Sequence, residues 1–168
     1  MQEAKQENHA ISNAKGWLES IVNMIERLRE AEEGEHECGQ CEGTGRTQSA
    51  SNGEDEECPV CDGSGVIDSE LDEDDIRQEI QESPLSLEVR SDWHSPGGED
   101  DGPTDYRILL TTGGPALQLT GDLDEWKQPE NARLEWQDWG TPWTEYRDIS
   151  SAEAEALLTF ASAFWFGE

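Results

Sequence analysis

The sequence predicts an α+β fold: an antiparallel sheet of about four strands covered by N- and C-terminal helices, with a small cysteine-rich insertion. Three observations support this prediction. The N-terminal part of the 168-residue chain has an apolar stripe with helical spacing, apolar residues alternate with polar ones from 85 to 136, and all four cysteines lie in one short glycine-rich stretch. A chain of this length suits one domain of ordinary size.

The N-terminal region predicts a flexible segment followed by an amphipathic helix. Residues 1–11 are expected to form the flexible N-terminus. The helix spans residues 12–34, with Ser12 as its N-cap and Gly34 as its stop. Its apolar positions recur at spacings of three and four residues and comprise Ala14, Trp17, Leu18, Ile21, Val22, Ile25 and Leu28.

Two regions of different composition follow the helix. Residues 35–70 contain almost no large apolar residue, so this insertion cannot bury a core of its own and needs a staple. Residues 71–168, completed by the helix 12–34, are expected to form the sheet domain. They begin with a short helix over 72–82, in which Asp72 is the candidate cap and Ile76 and Ile80 face inward.

Alternating residues predict the strands of the sheet. The stretch 95–104, rich in proline, glycine and aspartate, predicts a loop, and Gly113–Gly114 predicts a hairpin turn. The positions expected to share one face of the sheet are Leu85, Leu87, Val89, Tyr106, Ile108, Leu110, Leu117, Leu119, Leu123, Ala132, Leu134 and Trp136. The fourth strand covers residues 131–139.

A capping box predicts the start of the C-terminal helix. Ser150 and Glu153 have the required spacing. The inward stripe of this helix consists of Leu157, Phe160, Ala161 and Phe164.

Two copies of one motif contain all four cysteines. The first copy runs from Cys38 to Gly45 and the second from Cys58 to Gly65, each with the pattern C-x-x-C-x-G-x-G. A C-x-x-C turn places two thiolates on one tetrahedral ion, and the glycines let the backbone curl so that N–H groups point at sulfur. The spacing predicts one structural Zn²⁺ ion held by Cys38, Cys41, Cys58 and Cys61. Paired disulfides and a redox dithiol are the alternatives.

The doubled motif resembles the cysteine-rich zinc module of DnaJ-type co-chaperones. The resemblance covers residues 36–66 only. The family's module has four such repeats and two zinc ions, whereas this chain has half that number, and the His-Pro-Asp signature of the J-domain is absent. The resemblance therefore implies zinc ligation by the four cysteines, and not chaperone activity, although binding of unfolded proteins stays open as an alternative.

The sequence contains no recognisable catalytic motif. A nucleophile elbow, a phosphate loop, a dinucleotide fingerprint and the H-E-x-x-H pattern are all missing, and the acidic runs lack the EF-hand spacing. Four cysteine ligands leave no open position for water on the metal. We therefore expect a protein that is not an enzyme.

The segment from Leu134 to Tyr146 has the highest density of aromatic residues in the chain. Trp139 and Trp143 lie beside Gly140 and Pro142 and either pack under a turn or stand exposed. A satellite cluster that closes one end of the sheet is one interpretation. An anchor for a protein partner is the other, because tryptophan is enriched at binding hot spots.

Charge is the strongest indication of function. The chain has 40 acidic and 11 basic residues, a net charge of −29, and this charge is spread along the whole sequence. Such a charge excludes nonspecific binding to nucleic acid or to anionic membranes. Twenty-nine charges correspond to roughly 49 Å of DNA duplex, the footprint of a typical DNA-binding protein.

In size, charge and lack of a catalytic motif, the chain resembles the DNA-mimic inhibitors of phages and plasmids, namely antirestriction and anti-CRISPR proteins. The resemblance implies binding to a basic nucleic-acid-handling complex, such as a nuclease, restriction enzyme or CRISPR effector, in the cytoplasm of a bacterial host. It implies no direct contact with nucleic acid or membrane. The candidate contact residues are Glu54, Asp55, Glu56, Glu57, Asp72, Glu73, Asp74, Asp75, Glu79, Glu82 and Glu88, with the cluster 99–101, and Trp139 and Trp143 are candidate anchors.

Two rival causes of the acidity stay open. An acidic zinc-containing adaptor for a basic protein would use the tryptophans as anchors. Adaptation to high salt would need no specific partner, but glutamate outnumbers aspartate here by 26 to 14, whereas aspartate is usually prominent in salt-adapted proteins.

Overall fold

A computed structural model of the chain describes residues 2–48, 55–68, 71–93, 95–96 and 102–167. Three helices, a five-stranded antiparallel sheet and two two-stranded sheets make up these residues, which confirms the predicted α+β class. The chain divides into two compact units. The sheet unit comprises Met1–Ile25 and Arg77–Glu168, and the cysteine unit comprises Glu26–Ile76.

The N-terminal helix, α1 (Gln2–Glu33), is longer than predicted. Residues 2–11, expected to be flexible, are helical, and Ser12 lies inside the helix instead of capping it. The apolar stripe explains the extension, because the buried Ala10 lies one turn before the buried Ala14. The helix ends before Gly34, as predicted, and the φ of +68° at this residue is the left-handed conformation that glycine tolerates.

The spacing of three and four residues predicted most of the buried face of α1. The side chains that it correctly places in the interior are Ala14, Leu18, Ile21, Ile25 and Leu28. Met24 is also buried, although it was not predicted. Trp17 and Val22 are only partly buried, because they lie at the margins of the stripe.

Four strands of three residues each lie in the cysteine unit. They are β1 (Glu35–Glu37), β2 (Arg46–Gln48), β3 (Asp55–Glu57) and β4 (Val66–Asp68), and they pair antiparallel as β1 with β4 and β2 with β3. The sequence did not predict them, because strands of this length are too short to show an alternating pattern.

The second helix, α2 (Glu73–Glu82), begins and ends close to its predicted limits. Asp72 is its cap, as predicted, since its Oδ1 accepts hydrogen bonds from the backbone N–H groups of Asp74 at 2.9 Å and Asp75 at 3.2 Å. The two isoleucines of its inward face, Ile76 and Ile80, are buried.

The five-stranded sheet has its strands in sequence order. They are β5 (Ser86–Ser91), β6 (Pro103–Thr111), β7 (Ala116–Asp122), β8 (Arg133–Gln137) and β9 (Thr144–Glu145). The prediction of about four strands omitted β9, which has two residues and therefore no periodicity to detect. Residues 112–115 connect β6 with β7 at the predicted hairpin.

One face of the sheet contributes the core of the sheet unit. Its central strands bury the predicted residues Tyr106, Ile108, Leu110, Leu117, Leu119, Leu134 and Trp136. Phe166, which was not predicted, packs its ring 4.7 Å from that of Tyr106, and the Tyr106 hydroxyl donates a 2.7 Å hydrogen bond to the carbonyl of Asn131.

The third helix, α3 (Ser151–Ser162), begins with the predicted capping box. The backbone N–H of Ser150 donates to Glu153 at 2.7 Å, and the backbone N–H of Glu153 donates to Ser150 Oγ at 3.3 Å. All four residues of the predicted stripe are buried, namely Leu157, Phe160, Ala161 and Phe164. Among the residues described, no helix is both long and apolar enough to cross a membrane.

Tryptophans contribute little to the core of the described residues. All seven lie within the described residues, and Trp136 is the one that is buried. Four are more than two thirds exposed: Trp93, Trp126, Trp139 and Trp165.

Candidate metal centre

The four cysteines lie together in the cysteine unit, as the doubled motif predicted. Their sulfur atoms all lie within 4.8 Å of one another, and all four residues are buried. Cys38 Sγ is 3.8 Å from Cys58 Sγ, and Cys41 Sγ is 3.8 Å from Cys61 Sγ. A tetrahedral metal with sulfur ligands at about 2.3 Å requires sulfur atoms about 3.8 Å apart. The cluster is therefore a possible metal site with four sulfur ligands.

The two repeats are related by a crossed arrangement of the backbone. The Cys38 N–H donates to the Gly65 carbonyl at 2.9 Å, and the Cys58 N–H donates to the Gly45 carbonyl at 2.9 Å. The strand pairs β1–β4 and β2–β3 also join one repeat to the other. Each half is thus completed by the other half, and neither pair of cysteines is positioned by its own repeat alone.

The last glycine of each motif is required where the repeats cross. A Cβ at Gly45 would lie nearer than 3.0 Å to the carbonyl oxygen of Gly63, and a Cβ at Gly65 would meet the carbonyl of Gly43 in the same way. Gly45 and Gly65 also have φ angles of +71° and +83°, which favour glycine. The pattern x-G-x-G therefore serves a close approach of two chain segments.

The second cysteine of each motif accepts a backbone hydrogen bond, as predicted. The N–H of Gly45 lies 3.3 Å from Cys41 Sγ, and the N–H of Gly65 lies 3.3 Å from Cys61 Sγ. Burial opposes ionisation of Cys61, but the bond from Gly65 and the neighbouring thiols outweigh it and lower the pKa to about 7. For Cys38, burial dominates and raises the pKa to about 11. A bound cation would favour all four thiolates.

Two hydroxyl residues stabilise the cysteine turns and were not predicted. Thr44 Oγ1 donates to the Cys41 carbonyl at 2.6 Å, and Ser64 Oγ donates to the Cys61 carbonyl at 2.7 Å. These bonds close the turn that follows each second cysteine. The signal in the sequence was a hydroxyl residue at the same position of both motifs, between the two glycines.

The predicted acidic contact residues fall in both units. The exposed residues Asp55, Glu56 and Glu57 form β3 in the cysteine unit. Asp72 to Asp75, at the start of α2, are exposed and belong to the same unit. Glu79 and Glu82 are exposed and belong to the sheet unit, where Glu82 accepts a 2.7 Å bond from Gln78. Glu54 and the cluster 99–101 lie outside the described residues.

Glu88, another predicted contact residue, has an ionic partner on the five-stranded sheet. It forms an ion pair with Arg107 on the polar face, where Arg90 also pairs with Asp105 at 2.7 Å. The hydrogen bond from Thr104 and then that from Arg90 lower the pKa of Asp105. A concavity of about 460 Å³ is lined by the two ion pairs, Glu88 with Arg107 and Arg90 with Asp105. The charges of each pair compensate one another within the sheet.

The predicted tryptophan anchors lie close together in the sheet unit. Trp139 is 77% exposed, and Trp143 is partly buried. Both line a concavity of about 370 Å³, together with Leu109 and Gln137. A Cβ at Gly114 would clash with the Trp139 indole, so this ring lies directly on the β6–β7 turn. Trp139 therefore contacts the turn at Gly114, while most of its side chain is exposed.

Comparisons with protein-family models, with curated proteins and with solved structures found no match for this chain. The interpretation of the four cysteines as a possible metal site therefore rests on their geometry alone.

Proposed function

We propose that the cysteine unit folds around one structural Zn²⁺ ion. Zinc favours four tetrahedral sulfur ligands, and the sulfur spacing fits its bond length. Apolar packing around the four cysteines is slight, since the partly buried Ile67 is the hydrophobic side chain packed against them. Elemental analysis of the purified protein should find one zinc per chain, and replacing Cys38 and Cys58 with serine should abolish it.

We further propose that the protein is an acidic DNA-mimic-type inhibitor that binds and blocks a basic nucleic-acid-handling complex, of the anti-CRISPR or antirestriction class. The observation that supports this function is the concentration of charge in the cysteine unit. Residues 26–76 contain eighteen acidic and three basic residues, a net charge of −15 out of −29 for the whole chain. This charge corresponds to roughly 26 Å of duplex.

The metal strengthens this argument in two ways. Four thiolates outnumber the two positive charges of Zn²⁺, so the loaded centre adds further negative charge to the unit. The crossed repeats also hold the chain in one shape against the mutual repulsion of its carboxylates. A rigid acidic surface can enter a groove built for DNA, whereas a disordered acidic tail would lose more conformational entropy on binding.

The exposed carboxylates of the cysteine unit are the proposed contacts. Asp55, Glu56 and Glu57 are consecutive in β3, and all three side chains are exposed. Asp74 and Asp75, in the first turn of α2, are also exposed. Because the charge of Glu88 is compensated by Arg107, this residue has at most a minor role in the contact.

The test is affinity capture from bacterial lysate with the zinc-loaded full chain as bait. Capture is carried out at about 100 mM and about 500 mM salt, with and without competing duplex, and is read by mass spectrometry. We expect a nuclease or another nucleic-acid-handling complex that both salt and duplex release, since the attraction is electrostatic and the site is shared. Its activity on DNA or RNA should then be inhibited by the purified protein.

Two matched triple variants distinguish whether inhibition depends on the charge of the cysteine unit or on the total charge of the chain. Asp55→Asn with Glu56→Gln and Glu57→Gln removes three charges from β3. The control, Asp92→Asn with Glu125→Gln and Glu130→Gln, removes three exposed charges from the sheet unit. Inhibition should fall with the first set and persist with the second. Equal loss with both sets would mean that only total charge matters, and the assignment to the cysteine unit would be wrong.

An acidic adaptor for a basic protein is the second candidate function, and the exposure of Trp139 favours it. A tryptophan 77% exposed on a turn is available as an anchor. In that case the captured partner should survive high salt and duplex, and Trp139→Ala should release it. Trp126→Ala is the matched control, since Trp126 is 73% exposed. Binding of unfolded polypeptides by the cysteine unit would instead indicate a co-chaperone-like role.

We place the protein in the cytoplasm of a bacterial host, where the proposed target complexes act. A binding role without catalysis belongs to the same proposal, because four sulfur ligands close the metal to substrate.

A further inference from the structure

The outer edge of the five-stranded sheet has apolar side chains that the core leaves uncovered. Leu87 and Val89 of β5 lie opposite the buried Ile108 and Tyr106 of β6. They are nevertheless 44% and 48% exposed, and Leu85 just before the strand is 60% exposed. In the part of the chain that the structure describes, β5 pairs with β6 on one side only. An exposed apolar edge of this kind is a template for another strand.

The register shows which backbone groups of β5 point away from the sheet. The Leu123 N–H donates to the Thr104 carbonyl, so even-numbered residues in this part of β6 direct their backbone groups toward β7. Odd-numbered residues of β6 are therefore directed toward β5, where 105, 107 and 109 lie opposite 90, 88 and 86. It follows that the backbone groups of Leu87 and Val89 point outward and can pair with a further strand.

We propose that a second copy of this chain occupies this edge. In the proposed dimer, β5 pairs antiparallel with β5 of the second copy about a two-fold axis at Val89. The interface is isologous, as is usual for homodimers. It places Val89 beside Val89 of the second copy and Leu87 opposite Ser91 of that copy, and it makes one continuous ten-stranded sheet from two sheets of five strands.

Charge complementarity selects this register. With Val89 opposite its own copy, Glu88 lies opposite Arg90 of the second copy, and Arg90 lies opposite its Glu88. Because Glu88 already pairs with Arg107, and Arg90 with Asp105, charges of alternating sign would continue across the interface. A register centred on Glu88 would place two glutamates directly opposite each other, which is unfavourable. One centred on Leu87 would leave Arg90 opposite Pro84.

The net charge determines how this dimer responds to salt. Two chains of −29 repel each other, while the segment Ser86–Ser91 has one acidic and one basic residue and is locally neutral. Screening should weaken the long-range repulsion more than the contacts inside the interface. Dimerisation should therefore strengthen as salt increases, whereas capture of a basic target should weaken. The two proposals can thus fail or succeed independently.

Sedimentation velocity of the zinc-supplied full chain, over a range of protein and salt concentrations, tests the proposal. We expect a reversible monomer–dimer equilibrium. Val89→Lys should raise the dissociation constant at least about tenfold, because it places two cations opposite each other at the axis. Ile11→Lys is the matched control, since Ile11 is 39% exposed on α1, lies outside β5 and should leave the equilibrium unchanged when replaced. Far-UV circular dichroism checks that each variant is folded.

A cross-linking pair tests the register itself. Residues opposite each other in a hydrogen-bonded antiparallel pair have Cα atoms about 5.5 Å apart, within disulfide range. Val89→Cys should therefore form a disulfide-linked dimer under mild oxidation with zinc supplied, and Leu87→Cys should not. A chain that stays monomeric under all conditions, or a dimer that tolerates Val89→Lys, would overturn the proposal. More efficient linkage through Leu87→Cys would overturn the register.

Discussion

Replacing Gly45 with alanine tests whether the crossing of the two cysteine repeats controls metal affinity. Gly45 has a φ of +71°, and a Cβ on it would lie nearer than 3.0 Å to the carbonyl oxygen of Gly63. The left-handed backbone costs an L-residue about 1–2 kcal/mol. Pushing the neighbouring segment away costs about a further 1–3 kcal/mol. The variant should therefore destabilise the closed arrangement by about 2–5 kcal/mol.

This cost falls on the metal-bound state, because the ligand cluster is where the two repeats meet. Since 1.4 kcal/mol is about a tenfold change in affinity, zinc affinity should fall at least about thirtyfold. Competition against a chromophoric chelator in reducing buffer measures this ratio on the full chain. Gly65→Ala should give the same loss, since Gly65 has a φ of +83° and meets the carbonyl of Gly43.

Gly39→Ala is the control for this experiment. Gly39 lies between the first two cysteines, and nothing lies within 4 Å of the Cβ that it would acquire. The zinc affinity of the Gly39→Ala protein should differ from that of the wild type by less than about threefold. Equal affinities of the Gly45→Ala and Gly39→Ala proteins would refute the argument that close approach of the repeats positions the sulfur atoms.

Three further predictions concern the two units. Replacing Cys38 and Cys58 with serine should unfold residues 36–66 and leave the sheet unit folded, which hydrogen exchange can measure. Phe160→Ala should destabilise the sheet unit by about 3–5 kcal/mol in urea unfolding, because Phe160 is fully buried. Ser150→Ala should remove about 1 kcal/mol at neutral pH. The hydrogen bond from Ser150 Oγ to the Glu153 carboxylate lowers the pKa of Glu153 in the folded state. The part of the stabilisation that comes from this bond is therefore present above the usual value of 4.5 and is lost as the pH falls through the folded pKa.

Each of these predictions has a contrary result. Complete loss of the circular dichroism spectrum in the cysteine variant would show that the metal centre is integral to the sheet unit. A Phe160→Ala protein as stable as Trp126→Ala, which alters an exposed side chain, would contradict the assignment of the core. A difference between wild type and Ser150→Ala that persists unchanged in acid would contradict the role of Glu153.

The local pattern of the sequence predicted the helices and the clustering of the four cysteines well. The repeated C-x-x-C spacing was sufficient to predict that the cysteines lie together, because such a turn brings its two sulfur atoms close within a few residues. Asp72 and Ser150 were recognisable as caps, since capping also depends on residues within one turn. The limits of α1 were harder to predict, because Ser12 has cap chemistry in a helix that Ala10 and Ala14 continue.

Only the tertiary structure decided which apolar residues are covered. Alternation correctly placed Leu87 and Val89 on the same face as Ile108, but it contains no information on whether an edge strand is covered. The same limit applies to Trp17, which the helical spacing placed on the buried stripe and which is only partly buried. The pairing of β1 with β4 also joins residues about thirty positions apart, which no local pattern specifies. Spacing along the chain thus determined which cysteines lie together, and long-range packing determined which apolar surfaces stay exposed.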